Sequence, residues 1–346
     1  MGEIVIKING YTFRDWNELT VRKELEAIAG NFEFNVVQTS KVLTITIGDK
    51  VEIFIDNTPL IHGYIDYIAP DLRPDDRSIQ VVGRDNTCDI IDCTHSGSKR
   101  EFTGNQSIVA IIGELVKPFG IKVVNQLGEI PRIKTLKIDP GETLFESIEK
   151  ATRQLGIILQ PSGDGKILLI RITKDKKGPL LEEGRDFLDC FATYNAEERF
   201  SDYILKAQDK NNKSFVAKAK DPDIKRYRPL ELISDIKLEP AEAQKKINWE
   251  ANIRAARAVD VSVTVQGWTN KGKPWLPNAI YNITSPKLAL YDCPLLLRSI
   301  DYYFDSNGTT TNLSFTRSDA YSPDPIQRES KSGIDVSKFG YGSNSD

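Results

Sequence analysis

Two pairs of adjacent glutamates carry the residue types needed for acid–base chemistry: Glu182-Glu183 and Glu197-Glu198. Two carboxylates that face each other across a sugar can hydrolyse a glycosidic bond. Adjacent residues of a strand point to opposite faces, however, and both pairs lie in polar stretches typical of solvated loops. We therefore assign no catalytic residue to them. They keep open one alternative function, a carbohydrate- or peptidoglycan-degrading enzyme.

Histidines and cysteines offer little for nucleophilic or metal chemistry. His62 lies inside a predicted strand and His95 at a predicted domain edge, and no Ser or Cys arrangement accompanies His62. We interpret His62 as a structural or surface residue and expect His95 to be exposed. No CxxC pair occurs among the four cysteines, Cys88, Cys93, Cys190 and Cys293. The sequence therefore predicts no zinc site, and scattered cysteines favour a reducing compartment.

Two further motifs resemble binding sites without meeting their requirements. Gly163-Asp164-Gly165-Lys166 lacks the GxxxxGK(S/T) spacing of a phosphate loop and is too short for a calcium loop, so we predict a hairpin turn. Pro274-Trp275-Leu276-Pro277, after Gly267-Trp268, could form a platform for sugars, but such stretches are more typical of a loop packed on a barrel rim. We predict no catalytic, cofactor-binding or metal-binding residues, and no cofactor.

The elements that would position these residues are organised around Gly48–Asp85. Val51, Ile53 and Ile55 alternate with other side chains at the period of a half-buried strand. Turn residues then lead into further strands. The pieces in order are the turn Asn57–Pro59, a β-rich run Ile61–Ile68, a polar loop Pro70–Asp76 and a third strand Ser78–Val82. This pattern predicts an antiparallel meander.

A similar pattern returns at Leu295–Asp319. Tyr64–Ile68 matches Ser299–Tyr303, and Ser78–Val82 matches Asn312–Thr316, with Asp85 and Asp319 following at the same distance. Any two β-hairpins look partly alike, which is the alternative explanation. The matching order of elements favours two related β domains far apart in the sequence.

The remaining segments predict an α+β region and a helical insertion. Leu19–Ile28 fits a strand or a short helix, and we favour the strand because its apolar residues alternate. Helix signals occur at several places. These are Asp85-Asn86 as the cap of a short helix, Thr103 or Asn105 as the cap of a helix with Ile108 to Val116, Thr143 as the start of a second helix that ends at Gly156, and the helix Glu239–Arg257.

The predicted fold class is mainly β with α+β parts. Two β-barrel domains are expected, together with a small α+β domain and a helix-containing insertion. Residues 1–95 would form the first barrel domain, 96–174 the α+β domain and 175–321 the second barrel domain, with the insertion near 211–257. Residues 322–346 have few large apolar side chains and are expected to be flexible unless a partner orders them.

Composition excludes some functions. The chain of 346 residues has 46 basic and 49 acidic residues and a net charge of −3, so no general attraction to nucleic acid or anionic membranes is expected. Residues 1–20 lack the apolar core of a signal peptide, and no apolar run is long enough to span a bilayer. We therefore expect no stable membrane insertion and folding in the cytoplasm.

Several phrases resemble phage Mu-type baseplate hub proteins, of which the 43 kDa tail protein of Mu-like prophages is typical. Gly83–Cys93, with its Gly-Arg-Asp and its later aspartates, is similar to the phrase that ends their first domain. Ala27–Phe34 resembles their early strand turn, and Trp249–Trp268 resembles their late helix–strand passage. The order of the phrases makes the resemblance specific over nearly the whole chain.

The resemblance implies a fold and a role. Its members are trimers related to the hub of T4-type tails and to type VI spike proteins, with two barrels of the tail-tube type in each subunit. It implies a homotrimer that joins a six-fold tail tube to a central three-fold spike and contacts other baseplate proteins. DNA would pass through the channel without specific binding. Assembly would occur in the host cytoplasm, and the final location would be the virion tail baseplate. The hub of a tailocin or a type VI-like injector is a further alternative.

Overall fold

The computed structural model describes residues 3–37, 45–72, 77–172, 176–234, 237–275 and 277–317, together with Ile334. These residues are mainly β with smaller helical parts, as predicted. The helices are α1 (Asp89–Asp92), α2 (Ile108–Val116), α3 (Leu144–Gln154) and α4 (Pro240–Arg257). The strands in chain order are β1 (Ile4–Ile8), β2 (Tyr11–Phe13), β3 (Glu18–Glu24), β4 (Asn31–Val37), β5 (Lys50–Ile55), β6 (Thr58–Leu72), β7 (Arg77–Asp85), β8 (Glu101–Ser107), β9 (Lys122–Asn125), β10 (Arg132–Lys137), β11 (Ile158–Pro161), β12 (Lys166–Ile170), β13 (Leu181–Glu182), β14 (Asp189–Tyr194), β15 (Asp202–Gln208), β16 (Ser214–Lys220), β17 (Pro229–Ile233), β18 (Val259–Gln266), β19 (Thr269–Asn270), β20 (Lys273–Pro274), β21 (Ile280–Ser285), β22 (Leu290–Asp305) and β23 (Gly308–Arg317).

The chain divides into two compact units. The first contains Met1–Arg171, Val265–Pro277 and Arg298–Leu313, and the second contains Ile172–Thr264, Asn278–Leu297 and Ser314–Asp346. The long strands β22 and β23 therefore contribute residues to both units. The domain boundaries expected at residues 95, 174 and 321 stay predictions.

The first unit is built on the predicted meander. β5, β6 and β7 pair antiparallel, and the sheet continues in the order β23-β22-β3-β4-β7-β6-β5-β1-β2. Leu19–Ile28 is a strand in its first part, as favoured from its alternation. The polar loop expected at Pro70–Asp76 is wrong in part, because β6 continues to Leu72. Pro70 and Leu72 stay in register with Ile79 and Arg77, so cross-strand pairing outweighs local turn propensity, and residues 73–76 lie outside the described residues.

Side chains link distant strands of this sheet. Among the described residues of the unit, no closed ring of paired strands is present. The ring centroids of Phe13 on β2 and Phe34 on β4 nevertheless lie 5.8 Å apart. Trp16, just after β2, lies 5.0 Å from Phe304 on β22. The sheet is thus curled, because Phe13 and Phe34 meet across the core although β2 and β4 are not neighbours in the strand order.

The α+β part of the first unit has its own core. α2 and α3 pack with β9, β11 and β12 around buried aliphatic residues such as Ile112, Ile148 and Leu169. The expected hairpin across Ser162–Gly165 is confirmed by the register Ile158↔Ile170 to Pro161↔Ile167. The expectation that Thr103 or Asn105 caps α2 is wrong. Both residues lie in β8, and the cap is Ser107, whose Oγ accepts from the Ala110 N–H at 3.3 Å.

The second unit holds two groups of strands and the long helix. In the first group, β21 pairs with β13 and with the first part of β22. β14 pairs with β18, which pairs in turn with β23. The sheet β16-β15-β17 packs against α4 around Tyr203, Leu205 and Ile247. α4 confirms the helix expected from Glu239 to Arg257, and Glu239 and Glu242 form its capping box.

Candidate functional site

The acidic pair Glu182-Glu183 is engaged in ion pairs. Glu182 on β13 lies 2.7 Å from the Arg185 guanidinium. Glu183 accepts from the Ser285 hydroxyl at 2.8 Å and lies 2.9 Å from the Lys287 ammonium. The two carboxylates therefore have different partners. Lys287 and Ser285 hold the pKa of Glu183 below its usual range, which is unsuited to a general acid.

The second acidic pair is exposed to solvent. The Glu197 carboxylate lies 3.4 Å from the Asn195 side-chain amide, and Arg228 donates to the Glu197 carbonyl at 2.6 Å. Glu198 is also exposed, and its carbonyl accepts from Arg254 at 3.4 Å. These contacts use the backbone of the pair more than its carboxylates.

The histidines and cysteines lie in separate places. His62 lies 3.3 Å from the Glu52 carboxylate. The expectation of an exposed His95 is wrong: it is half-buried, because its ring lies against Gly97 and its Nε2 is 3.0 Å from the Lys99 carbonyl. None of the four cysteines forms a disulfide. Burial raises the pKa of Cys88 and of Cys190 to about 12, so neither is an activated nucleophile.

Among the residues that the structure describes, no three His, Cys, Asp or Glu side chains are grouped so that they could hold a metal ion. No described helix is long and apolar enough to cross a bilayer.

The first unit instead contains a buried polar junction, in which two of the phrases singled out in the sequence meet. Asp85, at the end of β7, is fully buried. Its two carboxylate oxygens accept from the Gly30 N–H at 2.9 Å and from the His62 N–H at 3.1 Å. The Thr87 hydroxyl donates to the Ile28 carbonyl at 2.6 Å. The short helix after Asp85 forms as expected, but Asp85 does not cap it through its side chain.

A buried lysine lies near Asp85. Lys23 on β3 is fully buried, and its ammonium donates to the Leu60 carbonyl at 2.8 Å. Burial raises the pKa of Asp85 to about 6, although the charge of Lys23 and two N–H donors oppose the rise. Burial likewise lowers the pKa of Lys23. Sequence reasoning missed this pair, although a lysine between Val21 and Leu25 on the apolar face of an alternating strand was the available signal.

Arg84 connects the end of the meander to helix α1. Its Nε lies 2.6 Å from Asp66, and its two terminal nitrogens contact Asp92 at 2.7 and 3.2 Å. Asp66 reaches Arg84 because the pairing of β6 with β7 shifts between Ile65 and Tyr67, which leaves Asp66 as the extra residue of a bulge. The Arg84 guanidinium holds the pKa of Asp92 below its usual range.

The turn Gly163–Lys166 packs against this junction. A Cβ on Gly163 would lie 1.9 Å from the Pro59 carbonyl oxygen, and one on Gly165 would lie 2.7 Å from the His62 ring. The Asn86 amide donates to the Gly165 carbonyl at 3.2 Å. The motif is therefore a hairpin turn, as expected, and it also joins the α+β part of the unit to the meander.

The second unit has a polar cluster that sequence reasoning also missed. Asp221 is buried, and Arg199 binds it through two hydrogen bonds of 2.7 and 2.8 Å. Arg228 and Arg254 lie over the Phe200 ring, at 5.1 and 5.4 Å from its centroid. These contacts fasten β15 to its neighbouring loops.

Comparison with known families gives three matches that follow one another along the chain. Residues 3–85 match the N-terminal domain of Mu phage baseplate assembly protein GpP-like, and residues 87–171 match the second domain of baseplate hub protein gp44-like. Residues 239–324 match the fourth domain of Mu phage baseplate assembly protein GpP. The chain is also 27% identical over 354 residues to baseplate hub protein gp44 of Escherichia phage Mu, covering 96% of this chain and 92% of that protein.

The chain is a relative of the Mu-type baseplate hub proteins. A solved structure supports the relationship: the 43 kDa tail protein of prophage MuSo2 from Shewanella oneidensis matches with a TM-score of 0.84 at 27% identity, over 92% of this chain and 99% of that one. A component of the E. coli type VI secretion system, described as similar to T4 tail proteins gp27 and gp5, matches with a TM-score of 0.59 at 10% identity, over 93% of this chain and 77% of that one. This second likeness concerns the fold alone.

The Mu-type resemblance read from the sequence is thus confirmed. Two of its phrases have a structural explanation, because Ala27–Phe34 and Gly83–Cys93 supply the two sides of the Asp85 junction. In this Mu-type hub relative, the two phrases meet at a joint inside the first unit.

Proposed function

We propose that the chain is the structural hub of a contractile-tail baseplate, in which three copies join a six-fold tail tube to a three-fold spike. The ordered match of three Mu baseplate domains to one chain carries the proposal. The three matches lie between residues 3 and 324, so the similarity is not confined to one shared domain. The Mu relative, which the chain covers over 92% of its length, is named a baseplate hub protein.

The two β-rich units support the symmetry part of the proposal. Each copy contributes two units, so three copies would present six, the number that a six-fold tube requires. We include in the proposal that the units contain related, tail-tube-like barrels. The curled first sheet supports this, as does the antiparallel pairing of β21 with β22, which follows the order of β5 with β6. Asp319, which matched Asp85 in the sequence, lies outside the described residues.

The outward face of the first sheet is suited to line a channel. Most side chains that alternate with the buried ones on β3, β4, β5, β6 and β7 are polar or charged, with Phe54 and Val82 as apolar exceptions. The Gln80 amide donates to Glu33 at 2.5 Å. The charged residues on this face include Lys7, Glu18, Arg22, Glu24, Glu33, Lys50, Glu52, Asp66, Asp71 and Arg84. Arg84 is neutralised by Asp66 and Asp92. A neutral to acidic face would let DNA pass without gripping its phosphates.

The proposed partners follow from the hub role. They are the central spike protein, the tail tube protein and other baseplate proteins, with assembly in the host cytoplasm and the virion tail baseplate as final location. We also propose that the spike orders residues 322–346. Apart from Ile334, which forms a β-bridge with Leu290, this segment lies outside the described residues.

A type VI-like injector or tailocin hub remains a second candidate, because the type VI component shares the fold over 93% of this chain. The mechanical role would be the same, and the cognate spike and tube would differ. The alternative of a carbohydrate- or peptidoglycan-degrading enzyme has less support, because Glu182 and Glu183 are tied to separate cations.

Co-expression with the spike encoded beside the chain tests the proposal. We expect light scattering to give the mass of three chains, alone or with three spike subunits, and electron microscopy to show a ring with six similar lobes around the spike. A matched variant ending at Tyr321 should keep the ring and lose spike affinity. A stable monomer or dimer in the presence of spike would refute the hub proposal, whereas unchanged spike binding by the truncated variant would refute only the role of the tail.

A further inference from the structure

Strand β14 in the second unit has an unpaired edge. It pairs with β18 in an unbroken register from Asp189↔Thr264 to Tyr194↔Val259. Within the described part of the chain, no strand pairs with its other side. β14 contains no lysine, no proline and no bulge, which are the usual devices that prevent a sheet edge from pairing with another chain.

Other free edges of the second unit carry such devices. β16 has exposed Lys218 and Lys220, and the Lys218 carbonyl at its edge accepts from the Gln244 side chain at 2.8 Å. β17 begins with Pro229, which has no N–H to donate to a partner strand. The contrast within one unit indicates that β14 is left open for a partner.

The direction of the backbone groups identifies which amides face the open side. The Asn195 N–H donates to the Ala258 carbonyl at 2.8 Å. Because donors alternate along an antiparallel ladder, the N–H groups of Thr193 and Phe191 also point to β18. Those of Ala192 and Cys190 point outward, and the Cys190 N–H indeed donates to its neighbour's carboxylate, Asp189 Oδ1, at 2.8 Å.

Apolar surface accompanies the open edge. Phe191 on β14 is 67% exposed, and Leu188, just before the strand, is 62% exposed. An unprotected edge beside exposed large apolar side chains is a template for strand addition.

We propose that the open edge of β14 is a subunit interface, at which it pairs with strand β2 of a second copy of this chain. The proposal rests on the hub function above and names the contact that would close its ring. A copy of the chain is present wherever the chain is made, and a closed ring leaves no edge uncovered.

β2 is suited to receive β14. It also lacks lysine and proline, and among the described residues it pairs only with β1. Exposed Arg14 follows it directly. If the two strands run antiparallel, the end of β2 lies opposite the beginning of β14, so Arg14 meets Asp189. The Asp189 carboxylate would then exchange its contact with the Cys190 N–H for an ion pair, which frees that N–H for the partner strand.

A proline at position 192 tests the edge directly. Ala192→Pro removes an outward N–H and leaves the β14–β18 ladder intact, because edge strands tolerate proline where the N–H faces away. We expect Ala192→Pro to weaken assembly by about a hundredfold, measured by mass photometry over a dilution series, with an unchanged circular dichroism spectrum. Ala192→Val, which keeps the N–H, is the matched control and should assemble as the natural chain does.

A charge exchange tests the partner strand. Arg14→Asp and Asp189→Arg should each weaken assembly by about three- to tenfold, and the double variant should restore it. Hydrogen exchange gives a readout independent of any variant: the Ala192 amide should exchange slowly in the assembled natural chain and fast in the diluted monomer.

The outcomes separate this proposal from the hub function. A natural chain that forms trimers, together with an Ala192→Pro variant that assembles equally well or an Ala192 amide that exchanges fast in the trimer, would refute the edge proposal and leave the hub proposal standing. Charge variants that fail to rescue each other would refute β2 as the partner strand. A natural chain that stays monomeric with and without spike would refute both.

Discussion

Asp85 shows what one residue does in this fold. Its carboxylate is buried and holds the N–H groups of Gly30 and His62, which lie on separate segments that β7 must keep together. Burial removes the hydration of the Asp85 carboxylate. The hydrogen bonds and the nearby Lys23 ammonium offset this loss only in part, because Lys23 is fully buried as well. Its protonation should therefore be coupled to stability.

The sign of that coupling is set by the raised pKa. The folded value of about 6 lies above the ordinary value of 3.8, so the folded chain binds the proton more tightly than the unfolded chain. The stability contributed by this carboxyl is full below the ordinary value and is lost as the pH rises towards 6. We expect the free energy of unfolding of the natural chain, relative to Asp85→Asn, to fall between about pH 4 and 6 by up to about 1.4 kcal/mol per pH unit.

Urea unfolding at several pH values measures this difference. Asp92→Asn provides a control of opposite sign, because Arg84 lowers the pKa of Asp92. The stability that Asp92 contributes is therefore present above its ordinary pKa and is lost as the pH falls. Parallel pH profiles for the natural chain and Asp85→Asn would show that Asp85 does not change its proton affinity on folding.

Elements with strong periodicity could be predicted from the sequence, and their ends could not. The apolar repeat of α4 and the alternation of β5 were sufficient for their type. The start of α2 was misplaced because Thr103 and Asn105 have good capping side chains, whereas long-range pairing of β8 with β10, such as Phe102↔Leu136, holds them in a strand. Such boundaries depend on strands that pair from far along the chain, and local propensity carries no information about that pairing.

Replacing the cap of α2 tests this assignment. Ser107→Ala removes the oxygen that accepts from the Ala110 N–H, and we expect it to lower the free energy of unfolding by about 1 kcal/mol. Thr103→Ala, at the cap expected from the sequence, should change it by less than about 0.5 kcal/mol. Chemical denaturation of both variants distinguishes the two positions, and equal losses would contradict the structural cap.

The turn between β11 and β12 makes a second prediction at the level of elements. Gly163→Ala places a Cβ at 1.9 Å from the Pro59 carbonyl oxygen, so the turn or the meander must move. We expect a loss of at least about 2 kcal/mol in the free energy of unfolding. Gly113→Ala is the control: within α2 its Cβ meets nothing within 4 Å, and it should stabilise the chain by about 0.5–1 kcal/mol. If Gly163→Ala is also neutral, the turn does not contact the meander closely.

For the whole molecule, the chemistry of single residues did not lead to the candidate site, because Lys23 and Asp85 were not among the residues whose types suggested catalysis or binding. The hub relationship came from phrases whose residues are far apart in the chain. Only the structure explains two of those phrases, since the Gly30 N–H donates to the Asp85 carboxylate at 2.9 Å. Lys23 could be placed on a buried strand face from its spacing, but its partner on β7 could not, because spacing does not report which strands become neighbours.

The charge of the channel face gives the last prediction. A hub that conducts DNA must not hold it, and every phosphate that a cation neutralises adds salt-dependent affinity. The outward face of the first sheet carries Glu18, Glu33 and Glu52 among few cations. We therefore expect duplex DNA to bind the assembled ring no more tightly than ordinary non-specific affinity, about 10⁻⁴ to 10⁻⁶ M at physiological salt. Fluorescence anisotropy with a labelled duplex measures this affinity.

A variant with Glu18, Glu33 and Glu52 changed to lysine should bind duplex DNA more tightly, and its affinity should fall steeply as salt is added. The face does not line the channel if this variant shows no gain. Sub-micromolar binding by the natural ring would mean that its lumen is basic, opposite to the face described here.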